Sequence, residues 1–407
     1  MLTCNKGRVQ NKIEIFSTFG DAGHGGITRF SLSEEAFQAR AEFVKRMRAV
    51  GVETVTDDMA NMYATLPGTE ANLPRIVMAS HCDSVRNGGN YDGILGVIAA
   101  MEVVETIAIE KIPHRHPITA MIWTNEEGSL YPPAMMSSGV VCGKFEKVKM
   151  LASKSPYGKT FGEALKQSGY VGGATNRLSS KDYMAMLELH IEQGPVLEAE
   201  KKQIGVVEGV VGMVNYRIRT YGQSDHAGTT PMSYRRDALL AAASALKYLH
   251  VELDKLDGNL VYTTGEIICH PCVHTVIPDF VDFSLDARHQ NPEVIKQVVE
   301  IIKNMPKEFD KCEVKYQEAW ARNTIEFNKE LVGFAEKSAD AYGYTNKRMY
   351  SGAGHDAQYA ADMVPTTMIF VPSKYGHSHC EQEFTSIEEC LRGINVVLQT
   401  VLEIDKK

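Results

Sequence analysis

Four apolar, strand-like runs of this chain each lead into metal-type side chains, and that placement constrains the fold more than any other feature. Ile76-Val77-Met78-Ala79 runs into His81-Cys82-Asp83, and Asp92 follows on the Gly-rich stretch Gly88 to Gly93. Ile118 to Trp123 ends in Asn125-Glu126-Glu127-Gly128, and Met184 to Leu187 leads to His190. Met368 to Val371 leads across a Lys-Tyr-Gly loop to His379. In open α/β sheets, ligands bind beyond the carboxyl ends of the strands, so segments far apart in sequence converge there. Singly, a strand-end His is usually a satisfied polar residue and a Glu-Glu pair a solvated edge. Together, three histidines and several carboxylates at successive strand ends describe a metal site better than a packed core.

A chain of 407 residues is long for one hydrophobic core, so two or three domains are expected. With 44% hydrophobic and 23% charged residues, the composition is that of an ordinary soluble globular protein. A net charge of −8 gives no reason to expect a nucleic-acid or anionic-membrane partner. No apolar run is long enough to span a bilayer, and the start has no apolar signal core, so a cytoplasmic protein is expected. Eight scattered cysteines fit reduced thiols, not a disulfide framework.

Residues 31–50 predict an amphipathic helix capped by Ser31 or Ser33, with Phe37, Ala41, Val44 and Met47 on one face and Gly51 closing it. From about 75 to 195, strands alternate with helical stretches such as Gly93 to Ile109, which predicts a mostly parallel sheet. The texture changes near 205–215. Val214 to Arg219 and Val281 to Arg288 alternate as half-exposed strands do, and helices are predicted at 236–247 and 293–304. A last strand at Cys312 to Tyr316 completes a βαββαβ-like α+β block. A helix at 326–342 then leads back to the His379 strand. The expected layout is a catalytic α/β domain of residues 1–209 and 326–407 with a smaller domain, 210–325, inserted.

Alternate residues of an extended chain point the same way, so His81 can bind a metal while Asp83 orients a ligand from behind. A Gly-rich turn brings the Asp92 carboxylate in close, where it can bridge two cations. Adjacent Glu126 and Glu127 diverge, so one can bind metal while the other stands beside a bound water. His190 and His379 complete two mixed N/O sets suited to Zn, Mn, Co or Ni and not to Mg or Ca.

Six motifs fall in one order: Gly-Gly-Asn-Tyr-Asp-Gly after His81-x-Asp83, Asn125 to Gly128, His190 to Pro195, Asp225 to Met232, Ser351 to Asp356, and Gly376 to His379. In this the chain resembles, over nearly its whole length, the dinuclear metal amidases comprising N-carbamoyl-L-amino-acid hydrolases, β-ureidopropionases and allantoate amidohydrolases. These are related to aminoacylase and carboxypeptidase-type exopeptidases. The resemblance implies His81, Asp92 and His190 on one metal, and Asp92, Glu127 and His379 on the other. It implies Glu126 as general base, and Gln193, His226 and Arg288 around the substrate, with the Gly352, Gly354 and His355 loop nearby. It also implies that the inserted domain serves as lid and homodimerisation module, with His226 reaching the partner's site. The expected reaction is hydrolysis of the carbamoyl C–N bond of an N-carbamoyl-L-amino acid or related ureido acid. Allantoate is the close alternative, and an acyl amide or a silent metal-binding scaffold are the others.

The chain departs from that pattern around the substrate. Thr275 stands where Asn is common and loses the amide's paired donor and acceptor, Leu130 replaces an Arg, and His377 replaces an apolar residue. His114 and His116, ahead of the Ile118 strand, are expected to face solvent. Cys269-His270-Pro271-Cys272 mimics a redox or zinc motif but lacks a second Cys pair, and Cys82 and Cys380 are expected to pack behind the site.

Overall fold

The computed structural model describes all residues from Met1 to Lys407. The chain divides into two compact units, Met1–Gly209 with Glu326–Lys407, and Val210–Ile325.

In the first unit, the strands Ile118–Trp123, Arg75–His81, Tyr183–Ile191 and Thr366–Val371 lie side by side in that order, all parallel. Antiparallel strands flank them, Met62–Leu66 on one side and Ile204–Val210 on the other. Nearly every residue of the four parallel strands is buried. That explains their continuous apolar sequence: helices cover both faces of a parallel sheet, so neither face selects polar residues. The helix Ile94–Ile109 packs on the sheet, and it too is buried on almost every side. Lys6–Phe16 and Ile387–Ile404 cover it in turn. The expected mostly parallel α/β architecture is borne out.

Register brings the strand ends level. His81 pairs with Trp123, and His190 pairs with Phe370. The run expected to stop at Leu187 continues as strand to Ile191, because Thr366–Val371 keeps pairing with it to the end. Glu188 and His190 are therefore ladder residues, hidden in sequence by their polarity. Ser33 caps the helix Glu34–Ala49 by accepting from the Ala36 amide. One expectation is corrected. His116 does not face solvent; it is buried, its Nδ1 lies 2.7 Å from the Pro74 carbonyl and its amide donates to Asp405. The C-terminal Asp405 and the turn before Arg75 close over the start of the Ile118 strand.

The second unit holds a six-stranded antiparallel sheet centred on Gly212–Tyr221 and Phe280–His289. Cys312–Arg322 pairs with the former, and Val261–Thr263 and Ile267–His270 pair with the latter. Helices Ala238–Leu253 and Pro292–Asn304 share its core, in which Ile218, Leu249, Phe283 and Val298 are buried. Asp237 caps the first helix and Asn291 the second, where Pro292 needs no donor in the first turn. The two short strands at 261–263 and 267–270 escaped the sequence pattern because neither is long enough to show a period. Cys269 and Cys272 are free thiols, and His270 pairs with Asp279 at 2.7 Å.

Candidate metal centre

Asp92 stands at the middle of a cluster at the carboxyl edge of the parallel strands, buried on the His81 and His190 side and open at His379. Its Oδ1 lies 3.4 Å from His81 Nε2 and 3.3 Å from His190 Nε2. Its Oδ2 lies 3.2 Å from His379 Nε2, which is itself 3.7 Å from Glu127 Oε2. One carboxylate thus faces two ligand sets, His81–Asp92–His190 and Asp92–Glu127–His379, with the ligand atoms of each set within 4.8 Å of one another. Glu126 Oε2 lies 3.8 Å from His81 Nε2 on the other side.

Main-chain groups fix the orientation of these side chains. His81 Nδ1 lies 3.0 Å from the Asp83 carbonyl, and His190 Nδ1 lies 3.0 Å from the Ile191 carbonyl. A carbonyl only accepts, so each Nδ1 carries a proton, and Nε2 is the ring atom turned toward the cluster. The Asp83 carboxylate plays a separate part, accepting from the amides of Glu126 at 3.3 Å and Glu127 at 3.1 Å. Gly93, at φ 65°, opens the Ile94–Ile109 helix; a Cβ there would lie 2.2 Å from the His81 ring. No other residue leaves His81 its place.

The electrostatics favour bound cations. Burial alone would raise the Asp92 carboxyl, but the surrounding imidazoles, His190 foremost, hold it well below the usual carboxylate range. Glu126 is pushed well above that range by burial, which Asp356 and Glu127 reinforce against His81. Burial and then Asp92 push Glu127 up to about 7. Carboxyls driven toward protonation mark negative charge crowded into a dry pocket, which divalent cations relieve. Glu127 Oε1 is buried with no hydrogen-bond partner, as a carboxylate oxygen reserved for a cation would be. The mixed imidazole and carboxylate donors suit a transition metal. The residues therefore fit the group.

Of the other predicted residues, Gln193 joins this cluster, its Nε2 donating to Asp92 Oδ2 at 2.6 Å. His355 is buried behind His190, with ring centroids 4.6 Å apart and its Nε2 2.9 Å from Ser351 Oγ. Gly352 and Gly354 lie on the loop between Ser351 and His355, the first of them exposed. Leu130 packs against an apolar cluster containing Tyr131 and Phe161 and brings no charge. His377 is exposed, edge-on to Tyr375. Cys82 is buried and Cys380 half-buried.

Within the second unit, His226 and Thr275 are neighbours: His226 bridges to Val276, and the Ala227 amide donates to the Thr275 carbonyl at 2.9 Å. His226 Nδ1 accepts from the amides of Gly228 at 3.0 Å and Thr229 at 3.3 Å. Its neutral ring therefore keeps the proton on Nε2, which is left as a donor. Arg288 lies on the Phe280–His289 strand, with Nε donating to Asp286 at 2.7 Å.

Sequence reasoning missed Glu383 and Ser378. Glu383 is 4% exposed and accepts from the amides of Tyr91 and Asp92, and Ser378 reaches both Asp92 and Glu383. The only sequence signal was their closeness to His379.

The profile of peptidase family M20/M25/M40 matches residues 65–403. An N-carbamoyl-L-amino-acid amidohydrolase of Rhizobium meliloti is 34% identical over 98% of this chain and 96% of its own length. An allantoate amidohydrolase of Escherichia coli is 34% identical over 98% of this chain and 97% of its own. Among solved structures, a hydantoinase/carbamoylase family amidase of Burkholderia multivorans superposes with a TM-score of 0.92 at 35% identity, covering 100% of this chain and 99% of that one.

Proposed function

The chain belongs to peptidase family M20/M25/M40, and from that premise we propose that it is a hydrolase of the carbamoyl C–N bond of an N-carbamoyl-L-amino acid or related ureido acid, holding two divalent transition-metal ions per subunit. The observation that carries this reading is the Asp92 carboxylate, one oxygen toward His81 and His190 and the other toward His379. That is the disposition of a ligand shared by two cations. Bound there, Zn, Mn, Co or Ni would acidify a water and polarise the scissile carbonyl.

The chain's own groups would do the rest. Glu126 sits beside the ligands, 3.8 Å from His81 Nε2, where it can take a proton from the attacking water and deliver it to the leaving nitrogen. His226, with its proton held on Nε2, can donate to the oxyanion formed at the ureido carbon. Arg288 can grip the substrate carboxylate through a two-pronged hydrogen bond, with Thr275 and the Gly352–His355 loop as further proposed substrate contacts. One water and one ureido group yield the amino acid, ammonia and carbon dioxide. Allantoate is the second reading, supported by the Escherichia coli relative and by the carboxylate and ureido groups that both substrates present.

The unit 210–325 is proposed to serve as lid and homodimerisation module. Exposed apolar residues on its short outer strands, among them Val261, Ile267 and Ile268, support this. The eight free thiols support a cytoplasmic location. No helix is long and apolar enough to cross a membrane.

The test is ammonia release from N-carbamoyl-L-amino acids, β-ureidopropionate and allantoate, and acetate release from N-acetyl amino acids, after loading with Mn, Co, Ni or Zn, with the mass in solution measured on the same sample. Turnover of a ureido acid by a dimer is expected. Turnover of the N-acetyl substrates alone, or of none, contradicts the ureido reading, and an active monomer contradicts the dimer.

A further inference from the structure

The turn that carries Asp92 makes its hydrogen bonds to a residue nearly three hundred positions away. Glu383 Oε1 accepts from the Tyr91 amide at 2.9 Å and from the Asp92 amide at 3.0 Å. Its other oxygen accepts from Ser378 Oγ at 3.0 Å, and Ser378 Oγ also lies 3.1 Å from Asp92 Oδ2. Glu383 is itself held on a tight turn after His379, its amide donating to the Cys380 carbonyl at 3.1 Å. One buried carboxylate therefore spans the loop that presents Asp92 and the loop that presents His379. The approach is close: a Cβ on Gly89 would lie 2.1 Å from the Glu383 carboxyl.

We infer that Glu383 is a positioning residue for the metal pair, tying the Tyr91–Asp92 amides to the 378–383 loop so that Asp92 and His379 meet at a fixed separation. The inference rests on the reading of this cluster as a metal site. It assigns the effect to reach and acceptor geometry, not to negative charge. Two adjacent amides on a Gly-rich turn have no helix or strand to satisfy them, and Glu383 gives both the same acceptor. With that acceptor removed the turn is free to rotate, and the carboxylate it carries loses its aim at both ligand sets. Outer partners of this kind typically govern metal affinity by about 10- to 100-fold.

Reach and charge separate in two variants. Glu383→Gln keeps the chain length and a carbonyl oxygen that both amides can donate to, while its amide can donate to Ser378 in place of accepting from it. Glu383→Asp keeps the charge but is one methylene short of the amides. Full-length wild type, Glu383→Gln, Glu383→Asp and Glu383→Ala are loaded with Zn or Mn, and retention is read by competition with a metal-sensitive chelator. Melting temperature of the chelated proteins is measured alongside. We expect Glu383→Gln to bind within about threefold of wild type, and Glu383→Asp and Glu383→Ala to bind about 10- to 100-fold more weakly with melting temperatures near that of wild type. If Glu383→Ala does not fold, the order of Gln over Asp decides alone. Equal binding by all variants overturns the inference, as does Asp retaining metal where Gln loses it. A wild type that holds no metal overturns the site reading instead.

Discussion

Glu126 and Glu127 are neighbours in sequence that part company in space, one beside His81 and the other beside His379. Asp83 holds both amides, so the backbone is fixed while the two side chains diverge. The proposed division of labour, a proton carrier and a ligand, rests on that geometry. Glu126→Gln is expected to leave metal content near wild type and to lower turnover by about two orders of magnitude or more. Metal analysis and initial rates on one preparation check it, and loss of metal in the variant would make Glu126 a ligand. That these residues would come together was legible in sequence because His, Asp and Glu at strand ends have few other reasons to recur in that order. Glu383 was not, because its partners are backbone amides, which carry no residue signature, and Cys380-Glu381-Gln382-Glu383 reads as a solvated acidic loop. Asp83 was legible as a supporting residue. That its carbonyl serves His81 while its carboxylate serves the two glutamates follows only from the fold.

Elements show the same division. The four parallel strands were legible because burial on both faces leaves an unbroken apolar run. The helix Lys6–Phe16 was not, since its polar sequence hides a buried contact. Lys12 Nζ lies 2.7 Å from Glu102 Oε2 and 2.5 Å from Glu105 Oε2 on the helix Ile94–Ile109, and Arg8 meets Glu102 at 2.7 Å. Burial would raise the Glu102 carboxyl, but Arg8 and Lys12 hold it below its usual value. A depressed carboxyl contributes stability that is complete above its unfolded-state pKa of about 4.3 and is lost as pH falls through the lower folded value. Lys12→Met leaves Glu102 and Glu105 buried side by side with Arg8 as their shared cation, 3.7 Å from Glu105, and is expected to cost about 3 kcal/mol at neutral pH. The difference from wild type should shrink as the pH is lowered below 4. Urea midpoints across that range test this, and a neutral substitution would show that the clamp does not hold the helix.

At the scale of the whole molecule, Asp92, His190 and His379 come from segments that only the folded sheet brings level, and the proposed chemistry depends on that convergence. The departures at Leu130, Thr275 and His377 touch none of the six ligand and base positions. Leu130 packs into an apolar cluster, and Thr275 lies beside His226 in the second unit. The central claim is a pair of cations sharing Asp92. The most direct measurement strips the protein with a chelator, returns Mn or Zn in known amounts, and follows ammonia release from the best ureido substrate. The account predicts that activity is lost on stripping and restored in full at two equivalents per chain, with Asp92→Ala restored at none. Full activity at one equivalent, or in the stripped protein, would contradict it.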